Sequence, residues 1–140
     1  MFLKSIRNTR GMTLIEIIIV VTILAALVAM LGNRVADARR KSQVKEARIQ
    51  IGEIRKSLDL YFTDCSKYPT TEEGLAALLP GGEQSCQNWG PEPYMNKMPK
   101  DPWNNPFQYF NDNGKVVIIS YGEGGREGGS GYAKDISSED

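Results

Sequence analysis

The chain contains no histidine. That removes the commonest general base and the commonest protein metal ligand together. Net charge is missing as well, since 17 basic residues balance 17 acidic ones. A nucleic-acid binder driven by bulk electrostatics is excluded on that ground. Cysteine is confined to Cys65 and Cys86. Proline is absent from Met12 to Asp64, so nothing in that stretch forces a helix to stop. With 140 residues in all, the chain has room for one modest domain beside any membrane segment, and little for a deep substrate pocket.

What is present is an apolar run, MTLIEIIIVVTILAALVAML, from Met12 to Leu31. Its length is about the 20 residues that cross a bilayer core as helix. Lys4, Arg7 and Arg10 precede it, so removing residues 1–11 would leave the remainder net acidic. The pattern resembles a secretory signal, but the run is longer than an ordinary h-region and no A-x-A-like site follows it. Gly11 stands before the run instead, where cleavage would leave the apolar helix on the mature protein. Lys4, Arg7 and Arg10 favour a cytoplasmic N-terminus, whereas Arg34, Arg39, Arg40 and Lys41 lie on the other side. The two cysteines help to break that tie. Both lie beyond the run, and an even count in an extracytoplasmic domain reads as one disulfide. In a cytosolic domain they would be free thiols.

Helical periodicity continues past the apolar run. Val44, Ala47, Ile51, Ile54, Leu58 and Tyr61 recur at the three-and-four spacing of one face. One helix of about 50 residues is therefore expected, apolar all round at first and amphipathic afterwards, with Gly32-Asn33 as its weakest point. The basic residues between Arg34 and Lys56 number eight, against Asp37, Glu46 and Glu53. They read as a solvated face meeting anionic headgroups and acidic neighbours. Tyr68-Pro69 reads as the helix stop.

Thr70 with Glu73 forms a capping-box pattern ahead of Leu75, Ala76, Leu78 and Leu79, which predicts a short second helix ending at Pro80. Residues 83–100 show no sustained period. Two strands are expected, Phe107 to Phe110 and Val116 to Tyr121, joined across Asn111-Asp112-Asn113-Gly114. Trp103 is expected to pack on the helix, and the glycine-rich tail from Gly122 to be a loop. Two strands are marginal alone, so the amphipathic half-helix would cover them. The fold class is α+β.

Glu16 is the conspicuous residue. A carboxylate in a membrane helix costs roughly 2.5–3.5 kcal/mol even on mild scales. Near a helix end it could reach the headgroups. Alternatively, cleavage after Gly11 would give Met12 a free α-amino group four residues away. That cation could neutralise Glu16 of the same or an adjacent chain, and a pair between chains would set the register of packed helices.

Lys4 to Gly11 followed by Met12-Thr13-Leu14-Ile15-Glu16 resembles the leader and N-terminus of type IV pilins and type II secretion pseudopilins, although the usual first mature residue is phenylalanine. The segments Tyr68 to Leu75, Asp101 to Tyr109, Ser120-Tyr121-Gly122 and Glu127-Gly128-Gly129 narrow the resemblance to the major pseudopilins of the type II secretion system. It covers nearly the whole chain. It implies a pilin-like fold: a leader over 1–11, a transmembrane and assembly helix over 12–32, and a periplasmic head over 33–140 that includes the second half of the helix.

The resemblance also implies a function and partners. A prepilin peptidase would cut between Gly11 and Met12 and methylate Met12. Glu16 would serve assembly, and the product would be a non-enzymatic subunit of a helical homopolymer in the inner membrane. Its other partners would be minor pseudopilins and an inner-membrane platform with its ATPase, with no nucleic acid. A type IV pilus or competence pilin is the alternative within the superfamily; a membrane-anchored enzyme or ligand-binding module is the alternative outside it. The same family carries calcium in the loop after its last strand. Here Gly124, Gly131 and Ala133 stand where that family has aspartates. Tyr121, Glu123, Glu127 and Asp135 remain as candidate ligands, and a metal-free loop is the expectation.

Overall fold

The computed structural model describes residues 11–140. The leader residues Lys4, Arg7 and Arg10 lie outside the described residues. The chain divides into two compact units, one ending at Ala38 and the other spanning Arg39–Asp140. A single helix, α1 (Leu14–Cys65), contributes to both and runs through Gly32 and Asn33 without a break.

In the first unit every described residue is exposed, although the sequence is nearly all Leu, Ile, Val and Ala. The segment is long and apolar enough to cross a membrane. The Thr22 hydroxyl in mid-run donates to the Ile18 carbonyl at 2.7 Å, so this polar group is satisfied inside the helix.

In the second unit α1 is amphipathic. Ala47, Ile51, Ile54, Leu58 and Tyr61 are buried, and these five lie on the face that the periodicity marks. They form one core with Leu75, Ala77, Leu78, Phe107, Tyr109, Val116, Ile118 and Ile136, and Trp103 packs against its edge. The helix ends where Ser66 turns into left-handed backbone, at φ 56°, while its N–H still bonds Phe62 O at 2.8 Å.

The sheet has three antiparallel strands in sequential order: β1 (Gln108–Asp112), β2 (Lys115–Ser120) and β3 (Ile136–Ser137). Tyr109 faces Ile118, and Asp112 faces Lys115 across the hairpin. The turn is tighter than the four-residue connection expected. Only Asn113 and Gly114 lie between the strands, both with positive φ, at 52° and 91°. Such a two-residue turn matches the twist of the strands it joins.

Two expectations need correction. The second helix is a five-residue 3₁₀ turn, Gly74–Leu78, rather than an α-helix. The capping box forms: Thr70 N–H donates to Glu73 Oε2 at 2.7 Å, and Glu73 N–H to Thr70 Oγ1 at 3.2 Å. Gly74, whose N–H bonds Thr70 O at 2.9 Å, adopts φ +59°, so the capped turn does not run on as an α-helix into Leu75. The tail is more than a loop. It contains 3₁₀ turns at Gly122–Gly124 and Gly131–Ala133 and ends in β3, where Ile136 is buried opposite Ser120. Two residues are too few to carry an alternating signal, so this strand exists only through its pairing.

Candidate functional site: the N-terminal turn and the loop after the hairpin

Gly11, Met12 and Thr13 precede the helix, with no helical assignment and with all three exposed. The Gly11–Met12 peptide therefore lies in accessible backbone, as a protease substrate must. Thr13 starts α1. Its carbonyl accepts the Ile17 N–H at 3.2 Å, and its hydroxyl accepts the Glu16 N–H at 3.3 Å. Glu16 Oε2 in turn accepts the Thr13 N–H at 3.4 Å. This reciprocal pair is a second capping box. The carboxylate also meets the positive end of the helix dipole, a favourable place for a negative charge. Sequence reasoning found this pattern at Thr70–Glu73 but did not apply it to Thr13–Glu16, where the same spacing was in view.

Cys65 and Cys86 form a disulfide with their Cα atoms 5.7 Å apart. It joins the last residue of α1 to the segment just after the 3₁₀ turn Glu83–Ser85. Nearby, the Tyr94 hydroxyl donates to Asp64 Oδ2 at 2.6 Å and accepts the Gly90 N–H at 3.1 Å. Burial pushes the Tyr94 hydroxyl above its usual pKa, and the bond to Asp64 adds to the effect. The irregular segment is thus stapled to the helix end covalently and by hydrogen bonds.

A buried carboxylate fixes the other side of the head. Asp101 Oδ1 accepts the N–H groups of Trp103 at 3.1 Å and Asn105 at 2.8 Å. Its Oδ2 accepts the Ser120 hydroxyl at 2.7 Å, and Ser120 Oγ accepts the Gly122 N–H at 3.2 Å. Both oxygens of a charge that is only 4 % exposed are therefore engaged, the condition for burying it. This chain of bonds sets the exit of the backbone from β2 into the glycine-rich loop. No sequence signal marked Asp101 or Ser120 as partners, because 19 residues separate them.

That loop contains the four candidate ligands, but they do not converge. Tyr121 is half-buried at its start. Glu123 pairs with Arg40 of α1 at 3.5 Å. Glu127 is exposed. Asp135 accepts the Gly128 N–H on Oδ2 at 2.9 Å, while its Oδ1 is buried without a protein hydrogen-bond partner. Gly124 packs with its α-carbon facing Ala133, and Gly131 is exposed. Among the described residues no three acidic, cysteine or histidine side chains are grouped as a metal site. A groove lies elsewhere in the head. It is an open trough of about 760 Å³ beside Ile54, Ser57, Tyr94, Met95 and Met98, with no reactive set of groups in it.

Comparison with known proteins agrees across the chain. The family described as "Type II secretion system (T2SS), protein G" matches residues 34–139, and the prokaryotic N-terminal methylation motif matches residues 6–32. The type II secretion system core protein G of Pseudomonas aeruginosa is 39 % identical over 138 residues, spanning 96 % of this chain and 97 % of that one. Its counterpart in Vibrio cholerae is 34 % identical, spanning 96 % and 94 %. Among solved structures, the major pseudopilin from the type 2 secretion system of enterohaemorrhagic Escherichia coli superposes with a TM-score of 0.63 at 27 % identity, covering 73 % of this chain and 87 % of that one.

Proposed function

The chain belongs to the protein G family of the type II secretion system, and from that membership we propose that it is a pseudopilus subunit whose N-terminal turn is both its processing site and its assembly site. It is a pseudopilin: a structural subunit that polymerises through its apolar helix. Heterologous contacts of that kind do not close, and so they build filaments.

Processing by a prepilin peptidase removes residues 1–11 and methylates Met12. The observation that carries this reading is the exposed Gly11–Met12 peptide directly ahead of a helix whose first turn holds Glu16. Among the described residues, the Glu16 carboxylate makes the long capping contact with Thr13. Cleavage creates an amine at Met12, and Glu16 exchanges its cap for that cation on a neighbouring subunit. The exchange sets the axial register. The helix anchors in the inner membrane and the disulfide-bonded head lies in the periplasm, where its thiols can oxidise. Minor pseudopilins and a membrane platform with its ATPase are the remaining partners. The role is non-enzymatic, a reading supported by membership of a pseudopilin family and by a sequence without histidine.

Two substitutions separate the roles of Glu16. Glu16→Ala removes cap and charge; Glu16→Gln keeps a capping box, for which glutamine is competent, and removes only charge. Both variants are expected to insert in the membrane and both to fail in filament formation. Normal filaments from Glu16→Gln would reduce Glu16 to a helix cap. The mass of the assembled form tests processing directly: loss of residues 1–11 plus one methyl group is expected, and a retained leader on assembled subunits would overturn the assignment.

A further inference from the structure

We infer that the loop from Gly122 to Asp135 holds its shape without calcium, and that Arg40 of α1 supplies the positive charge that fixes it. Calcium takes six to eight oxygens, with carboxylates contributing most of the compensating charge. The residues here do not fit that demand. Glu127 is exposed and Glu123 is occupied by a guanidinium. Asp135 brings one unengaged oxygen, its other being spent on Gly128. The positions that would add carboxylates are Gly124, Gly131 and Ala133.

What replaces the ion is visible in the same contacts. The Arg40 side chain bonds Glu123 at 3.5 Å from the first 3₁₀ turn and lies 5.8 Å from the ring centre of Tyr132 in the second. One cation thus grips both turns, by charge on one and by the aromatic face on the other. The turns also press directly on each other. A methyl group on Gly122 would come 2.7 Å from Lys134 O and 3.2 Å from Tyr132 O, and one on Gly129, between the turns, would collide with Ala133 O. Backbone bonds from Gly125 to Gly122, Ala133 to Ser130 and Lys134 to Gly131 close each turn on itself. The loop is therefore packed backbone to backbone, with Arg40 tying it to the helix. A second cation beside this guanidinium would be repelled.

Hydrogen exchange of the amides of residues 122–133, measured on the full chain in detergent micelles, tests the proposal with calcium chloride or a chelator as the only variable. Wild-type protection is expected to be the same in both. Arg40→Gln and Glu123→Gln should each speed exchange of these amides by about three- to tenfold, the range expected of a half-exposed ion pair with a ring contact, and equally with and without calcium. Arg40→Lys keeps the charge but loses the planar stacking, and is expected to fall between wild type and Arg40→Gln. Protection of the wild-type loop that rises on adding calcium would overturn the proposal. So would unchanged exchange in both Arg40→Gln and Glu123→Gln.

Discussion

The part of α1 up to Ala38 and the part from Arg39 onward share backbone geometry but not the source of their stability. In the first, the residues from Leu14 to Leu31 are nearly all apolar, and every described side chain is exposed. Among the described residues nothing covers the apolar side chains of that unit, whose helix is long and apolar enough to cross a membrane. In the second, only one face is apolar, and Ala47, Ile54, Leu58 and Tyr61 are at most 1 % exposed within the head. The lesson is about where free energy is gained. A residue such as Leu24 contributes nothing to folding of the monomer and is available to the assembly, whereas Leu58 is committed to the head. The two capping boxes repeat the contrast. Thr70–Glu73 organises a turn inside the folded head, while Thr13–Glu16 caps a helix start that is fully exposed.

This comparison can be broken in several ways. The largest effect should come from the disulfide. Reducing it, or replacing Cys86 with serine, should cost the head about 2–5 kcal/mol while membrane insertion stays intact. Urea unfolding alongside membrane fractionation reads both quantities, and loss of insertion would mean the units are not independent. Next, Leu58→Ala should destabilise the head by about 2–5 kcal/mol, whereas Leu24→Ala should leave head unfolding unchanged. Equal losses from the two substitutions would erase the distinction. Smaller still, Thr70→Ala should cost about 0.5–2 kcal/mol, with no effect on the head from Thr13→Ala; thermal unfolding followed in the near ultraviolet would distinguish them.

The mildest effect under ordinary conditions appears only in alkali. Burial raises the hydroxyl pKa values of Tyr109, Tyr94 and Tyr68, with hydrogen bonds to Asp64 and Asp59 adding to the last two. Unfolded tyrosines ionise near 10. A folded value above the unfolded one means that the stabilisation is fully present below about pH 10 and is lost as pH rises toward the folded value. Head stability should therefore fall above about pH 10, and Tyr109→Phe should flatten that fall. Urea midpoints across pH 8–11 provide the measurement, with a flat wild-type profile as the contrary result.

The long helix, its change from uniform to one-sided apolarity, the hairpin around Asn113-Gly114 and the N-terminal methylation motif over residues 6–32 were all legible in residue order. Each is encoded within a few residues, by a helical period, a turn pair or a local motif, and local steric and hydrogen-bonding rules act at that range. The later segments of resemblance, from Tyr68 to Gly129, also pointed to the family before any geometry was known. The short 3₁₀ turn at Gly74–Leu78 was not legible, because the apolar spacing of Leu75, Ala76, Leu78 and Leu79 fits an α-helix as well as a single turn. Nor was β3, which at two residues has no period of its own and exists by pairing with Ile119 and Ser120.

The sequence by itself determined what each stretch of chain could be: a membrane-grade helix with one carboxylate, an amphipathic extension and a small β-rich head. Only the tertiary structure decided who meets whom across long separations, as Asp101 meets Ser120 and Arg40 meets Glu123. The physical reason is that local preferences are set by a residue's immediate neighbours. A buried charge or a two-residue strand is stable only once the rest of the chain has closed around it.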